Sequence, residues 1–509
     1  MSLLFFLFNL LWILISAFSY GYHISALNGA QDVITCRSTN SNNNSFQRYP
    51  SLAFLVPCIP MSDTLFGFIT ASYPIGGFIG SVCASKLIQG HRGKRNSLFI
   101  SALSIGLGSL LMSLSNFVLP IIIGRTIIGF GCGINTVIVP IYLSEISPLQ
   151  IRGSVGVMNQ LAIVIGIFFA QLVSLPLSSP FIWRWIFIIS FSLSSLQLLT
   201  TPFIPSENRR FNPNQPSQLN QEEEEEQEQE EQEEEHNEQN ISTSTHQPTS
   251  RTPHQSIPSN SQHLLERETL LTPTHTDHNP LFKDGNTLSV AQLLQQWKRD
   301  PTLADGLKIV LITQLAQQLS GIKWMARSNL FLFNTTNSAV LYYSTSIMKS
   351  VLPTQAIYIS LFITAINVIM TFPPIFLVDK LGRKSLLLIS ASSMAITSLL
   401  LGISINYEVA RLSSLAIVLF VASFSIGLGP IPFVILSEVV PSYAVSASGS
   451  LGLALNWASN FLVGLIFLPL RNVMSSPDGD GDGNVFYIFT ILGAISTCLI
   501  YRTYKHPAC

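Results

Sequence analysis

The chain has 509 residues, 48% of them hydrophobic and only 11% charged, against about 25% charged in an ordinary soluble domain, so a soluble globular protein is excluded. Twelve of its 28 acidic residues lie between Glu222 and Glu238, and the formal charge of −1 hides a basic, apolar body with one acidic insert. A nucleic-acid binder is excluded too, because its basic face needs a soluble scaffold, and six cysteines are too few for a disulfide scaffold or an evident zinc site.

A bilayer core about 30 Å thick requires roughly 20 mainly apolar residues per crossing helix. Stretches of that kind fall near 3–24, 64–85, 97–115, 118–143, 154–175 and 183–204. After a long polar stretch they resume near 307–348 (interrupted), 355–378, 385–404, 413–437, 447–470 and 485–501. The opening residues lack a basic n-region and a small-residue cleavage site, and read as the first span rather than a signal peptide. The sequence thus predicts an all-α membrane protein with twelve transmembrane helices in two six-helix bundles. The bundles are 1–204 and 307–509, joined by a cytosolic, largely disordered acidic linker over 205–306.

Short-loop cations set the orientation. Lys86, Arg92, Lys94 and Arg95 follow span two, Lys380, Arg383 and Lys384 follow span eight, and Arg152, Arg502 and Lys505 fall on the same side. Both termini and the linker are therefore expected in the cytosol. The loop after span one then faces the lumen or exterior, with a glycosylation sequon at Asn43 and cysteines Cys36 and Cys58 at its ends. In that compartment the two cysteines either pair or remain free thiols.

The halves repeat. Gly93-Lys94-Arg95-Asn96-Ser97-Leu98 resembles Gly382-Arg383-Lys384-Ser385-Leu386-Leu387, and Leu143-Ser144-Glu145 with Pro148 resembles Leu436-Ser437-Glu438 with Pro441. Parallel six-span repeats are the plan of transporters that rock two bundles about a midplane site. Further strings are Gly76-Gly77-Phe78-Ile79-Gly80, Gly124-Arg125, Pro140-Ile141-Tyr142-Leu143-Ser144-Glu145 running to Arg152-Gly153, and Gln317-Gln318-Leu319-Ser320-Gly321. Tyr342-Tyr343-Ser344, Asp379-Lys380-Leu381-Gly382-Arg383-Lys384, Gly429-Pro430-Ile431-Pro432 and Asn456-Trp457-Ala458-Ser459-Asn460 complete the set. In these strings the chain resembles the sugar porters of the major facilitator superfamily over nearly its whole length, the linker excepted. The Tyr22-His23 start and the acidic linker look most like a fungal, vacuole-associated branch.

A hexose offers several hydroxyls and no charge, so its site needs neutral amides, which both donate and accept, together with an aromatic face. Gln160, Gln317, Gln318, Asn367, Asn456, Asn460 and Trp457 are such groups inside apolar spans, where polar residues usually face a cavity. Helix–helix hydrogen bonding is the competing reading, preferred for Asn456 or Asn159 taken singly. The resemblance implies that Gln160, Gln317, Gln318, Asn367 and Asn460 contact sugar, that Trp457 borders the site, and that Phe433 stands where a tryptophan is usual. Ser425 replaces a common glutamate. The resemblance also implies a cytosolic charge network of Arg125, Glu145, Arg152, Asp379, Arg383, Lys384 and Glu438 that latches one state. Gly90 and Val445 stand where that network usually has an acid and an arginine. Coupling turns on His23, which follows Gly21-Tyr22 where proton-driven members carry aspartate and facilitative members asparagine. It is either a proton-coupling group or a neutral histidine held by its neighbours.

Within the linker, Glu266-Arg267-Glu268-Thr269-Leu270-Leu271 fits an acidic dileucine sorting signal, readable by an adaptor, with Glu266, Leu270 and Leu271 as its determinants. It points to the vacuole or lysosome. Asp478-Gly479-Asp480-Gly481-Asp482-Gly483 lacks the closing glutamate of a calcium loop and reads as a turn. Lys323 to Ser338 interrupt span seven where the resemblance implies a single asparagine. If Lys323 is AAG and Ser338 is AGT, excising a segment that begins GT and ends AG restores that asparagine, so the expectation is a retained intron, which the gene sequence decides.

The sequence reading is a monomeric alternating-access hexose transporter, by facilitated diffusion, without cofactor, metal or nucleic-acid partner and not an enzyme. A proton-coupled carrier using His23, or a non-transporting sensor, are the alternatives.

Overall fold

The computed structural model describes residues 3–36, 55–89, 93–180, 182–204, 288–320, 356–407, 409–474 and 483–504. The first half holds α1 (Leu3–Ser25), α2 (Asp63–Gln89), α3 (Gly93–Ser113), α4 (Val118–Ile146), α5 (Arg152–Leu177) and α6 (Arg184–Thr200). The second holds α7 (Pro301–Leu319), α8 (Ala356–Met370 and Phe372–Leu381), α9 (Arg383–Asn406), α10 (Ala410–Ile426), α11 (Val445–Met474) and α12 (Asn484–Thr503). Among the described residues ten of these segments are long and apolar enough to cross a bilayer. With α7 and α11 in the seventh and eleventh places, the order matches the expected six plus six.

Helix ends follow local chemistry. Asp300 caps α7 by accepting from the backbone N–H groups of Thr302 and Leu303, with Pro301 at the first helical position. Just upstream, Ser289 and Gln292 form a capping box for a short helix, Val290–Gln296. The ordered second half therefore resumes before the expected linker boundary at 306, because capping organises a stretch that hydropathy alone assigns to the linker. Leu288 N–H donates to the Tyr443 carbonyl, and Tyr443 donates from its hydroxyl to Asp300 at 2.9 Å, which fastens this stretch to the second half.

Inside the first half α2 lies against α4. A Cβ on Gly76 would strike the Thr126 carbonyl, and one on Gly129 would strike the Tyr73 carbonyl, so only glycine permits this backbone approach. Between halves, α2 meets α11 and α5 meets α8. Both halves belong to one unit, Met1–Ile204 with Asp284–Lys505. Cys36 and Cys58 are joined in a disulfide. Asn43, the Glu266–Leu271 pattern and the 323–338 insert lie outside the described residues.

Candidate functional site

The second-half amides are organised around a broken helix. α10 stops at Ile426, and the chain passes through Gly427 to Pro430 before a short turn of helix at Ile431–Val434. A break inside a bilayer frees backbone carbonyls that need partners. Gln317 Nε2 supplies them, donating to the Leu428 carbonyl at 2.9 Å and the Gly429 carbonyl at 3.1 Å. Its Oε1 accepts from Asn456 Nδ2 at 2.8 Å, and Asn456 also reaches Gln314 Oε1 at 2.8 Å. Gln317 is therefore a brace between α7, α10 and α11, and its hydrogen-bonding capacity is engaged within the protein rather than turned to a ligand. Asn456 links helices, as expected for it alone. Gln318 differs: it is fully buried, its Oε1 has no partner, and its Nε2 lies 3.5 Å from Gln317 Oε1. An unsatisfied buried acceptor is costly and suits a site that awaits hydroxyls.

Asn367 on α8 lies 2.8 Å from Ser425 Oγ through its side-chain oxygen, so the serine that replaces an expected carboxylate still orients a neighbouring amide. Gln160 on α5 is buried. A Cβ on Gly156, one turn earlier on the same face, would press on Val434. The α5 helix thus lies against the 431–434 turn that holds Phe433, also buried. Asn460 is half-buried, one turn beyond Asn456 on α11.

Trp457 does more than border the site. Its indole N–H donates to Thr136 Oγ1 at 3.3 Å, and its ring meets Tyr20 and Tyr73 edge-on at 5.6 and 5.5 Å. All three partners lie on the first half, so a second-half tryptophan is seated in a first-half aromatic cage. Thr136, Tyr20, Tyr73 and Gln314 escaped the sequence reading. Gln314 was detectable one turn before Gln317 on one helix face, whereas the other three become neighbours only through helix packing.

The charge network is smaller than expected. Arg383 holds Glu438 with two nitrogens, Nε at 3.0 Å and Nη2 at 2.8 Å, and holds Asp379 at 3.0 Å. Asp379 in turn receives the Ser154 backbone N–H from the other half. Glu145 pairs with Lys94 at 2.7 Å, and among the described residues no ion pair joins it to Arg152, whose Nε lacks a hydrogen-bond partner. Lys384 turns over the Tyr501 ring at 5.4 Å. Arg125 does not belong to the network. It lies seven residues into α4, and the twenty residues to Glu145 span about 30 Å of helix. It is fully buried, 0% exposed, with its guanidinium 4.4 Å above the Tyr73 ring.

His23 is fully buried, with Nε2 2.6 Å from Ser190 Oγ, which lies 3.0 Å from Ser109 Oγ. Its bonded neighbours are serines, not carboxylates. Among the described residues no group of His, Cys, Asp and Glu has the arrangement of a metal site.

A family model described as "Sugar (and other) transporter" matches residues 8–508. Vacuolar protein sorting-associated protein 73 of Saccharomyces cerevisiae is 27% identical over 491 residues, covering 96% of this chain and 91% of that protein. Human solute carrier family 2, facilitated glucose transporter member 3, is 30% identical over 504 residues, 97% and 87% of the two chains. Among solved structures, the major facilitator proton:xylose symporter XylE bound to 6-bromo-6-deoxy-D-glucose aligns with a TM-score of 0.65 at 21% identity, covering 98% of this chain and 95% of that one.

Proposed function

The chain belongs to the sugar transporter family of the major facilitator superfamily, and from that membership we propose that it carries a hexose by facilitated diffusion through alternating access. The supporting observation is the set of uncharged amides near the broken segment 427–434, Gln318 and Asn367 on α7 and α8, with buried Gln160 one turn beyond Gly156, which abuts Val434. Such groups match sugar hydroxyls and give no purchase to a charged solute. Gln317 and Asn456 hold the broken helix in shape; Trp457 ties the halves together beside it.

Proton coupling through His23 is the disfavoured alternative. A carboxylate partner for a protonated imidazole is lacking among its bonded neighbours, and a proton there adds positive charge to a space that already holds buried Arg125. The name of the yeast relative and the Glu266–Leu271 pattern support a vacuolar membrane, with an adaptor reading the linker. The charge cluster of Asp379, Arg383 and Glu438, with Ser154 across the interface, serves as the cytosolic latch.

The test is labelled-hexose uptake into vesicles containing the full chain, with and without an imposed pH gradient, for wild type and His23→Asn. The expected result is passive equilibration in both. Gradient-driven accumulation that disappears in His23→Asn refutes facilitated diffusion, and sugar binding without any uptake points to a sensor instead.

A further inference from the structure

Among the described residues no ion pair involves Arg125. All three of its guanidinium nitrogens lack hydrogen-bond partners, and the residue is 0% exposed. The Tyr73 ring covers one face of the guanidinium, but a ring face leaves the in-plane N–H donors unanswered. Helices α1, α3, α5 and α6 contain no Asp or Glu. The acid of α2 is its first residue, Asp63, ten residues or about 15 Å of helix before Tyr73. The acid of α4 is Glu145, near the opposite end of that helix.

A second orphan lies nearby. His23 Nδ1 is buried without a partner, on α1, which packs against the α4 helix that carries Arg125. The Ser109–Ser190–His23 Nε2 contacts run in either direction; where Ser190 donates to Nε2, the ring proton sits on Nδ1 and makes it a donor. The first-half core therefore combines a permanent cation with a buried ring nitrogen that has no partner.

We propose that the space between α1, α2 and α4 holds a small monovalent inorganic anion, bound by the Arg125 guanidinium and by His23 Nδ1–H. An anion answers both the charge and the donors, whereas water alone leaves the charge uncompensated in a region of low dielectric. Both residues are fully buried, and a halide asks less room there than an organic carboxylate does. The anion is a resident counter-charge of the bundle, independent of which sugar is carried.

Full-length protein in detergent, at fixed ionic strength, is titrated with chloride in place of methanesulfonate. The expected result is a saturable rise in thermal midpoint of at least about 2 °C, reproduced by bromide, absent in Arg125→Gln and needing roughly tenfold more chloride in His23→Phe. Equal midpoints in both salts, or undiminished chloride stabilisation in Arg125→Gln, overturn the proposal in favour of water alone. Wild-type protein decides the matter where the variant does not fold. Bromide-equilibrated crystals should show one anomalous peak beside Arg125, and no peak there overturns the site. A sugar-acid arm, glucuronate in place of chloride, should give no stabilisation; stabilisation by glucuronate but not chloride refutes the halide-sized site.

Discussion

Ser154 and Asp379 join the two halves: the Ser154 backbone N–H donates to Asp379 Oδ2 at 3.2 Å, and the serine hydroxyl lies 2.9 Å from the same oxygen. The other carboxylate oxygen is held by Arg383 at 3.0 Å. A Cβ on Gly153 would strike the Asp379 carboxylate, so a first-half glycine sets how closely the halves approach at this end. Such a contact is suited to breaking and re-forming, because partly exposed ion pairs contribute only about 0–1 kcal/mol each.

Gly153→Ala and Asp379→Asn should therefore act in the same direction. Both are expected to open the expected cytosolic end with little change in thermal stability. Thiol labelling of a cysteine introduced at that end should speed up in each variant, and unchanged labelling would argue that the contact is not a latch.

Gln318 and Asn456 should separate by their readouts. Gln318→Ala removes a buried acceptor that has no protein partner, and should raise the KM for hexose about tenfold, the equivalent of about 1.4 kcal/mol, with stability unaffected. Asn456→Ala strips the donor from Gln314 and Gln317, and should cost about 2 kcal/mol of stability with a smaller effect on KM. Paired transport and melting measurements check this; a reversed pattern would exchange the two roles.

A Cβ on Gly77 would lie 2.5 Å from the Trp457 ring. Gly77→Ala should abolish most transport by prying α2 from α11, and Trp457→Leu on that background should restore part of it. Equal loss in single and double variants would show that the ring is not what the glycine accommodates.

Asp300 is held below the ordinary carboxylate range. Burial pushes it upward, but hydrogen bonds from the Thr302 and Tyr443 hydroxyls and from the Leu303 and Thr302 backbone outweigh that effect. A depressed folded-state value favours folding above the unfolded value of about 3.9, and the benefit is lost as pH falls through the folded value. The thermal midpoint gap between wild type and Asp300→Asn should stay flat from neutral pH to about pH 5 and close below about pH 4. A gap that widens with acid would reverse the sign.

The Cys36–Cys58 disulfide closes a loop with a sequence separation of 22. In the chain-entropy account this stabilises by about 3 kcal/mol. Cys36→Ser should lower the thermal midpoint in oxidising buffer, and wild type under reductant should fall to match it; no difference would mean the thiols are free in the folded protein.

Hydropathy, small-residue spacing and the repeated glycine–dibasic and Leu-Ser-Glu strings are local properties, and the lipid thickness converts them directly into helix number and order. The twelve spans and their arrangement in two halves were therefore legible before any packing was known. The start of α7 was legible too, in Asp300-Pro301, although hydropathy placed it later. Arg125 lies outside the charge network that the Gly-Arg string implies, because 1.5 Å per residue along α4 separates it from Glu145.

What the amino-acid order alone determined is which groups the membrane would have to accommodate, since burial of an amide or a cation follows from its position within an apolar span. Only the tertiary structure decided how each group is satisfied. Gln317 and Gln318 are chain neighbours of identical chemistry, yet one is saturated by carbonyls of a helix broken over a hundred residues away and the other retains an unanswered oxygen. Trp457 completes its hydrogen bond in the opposite half. The free capacity of a polar side chain is a property of its neighbours in space, and those neighbours are chosen by helix packing rather than by sequence adjacency.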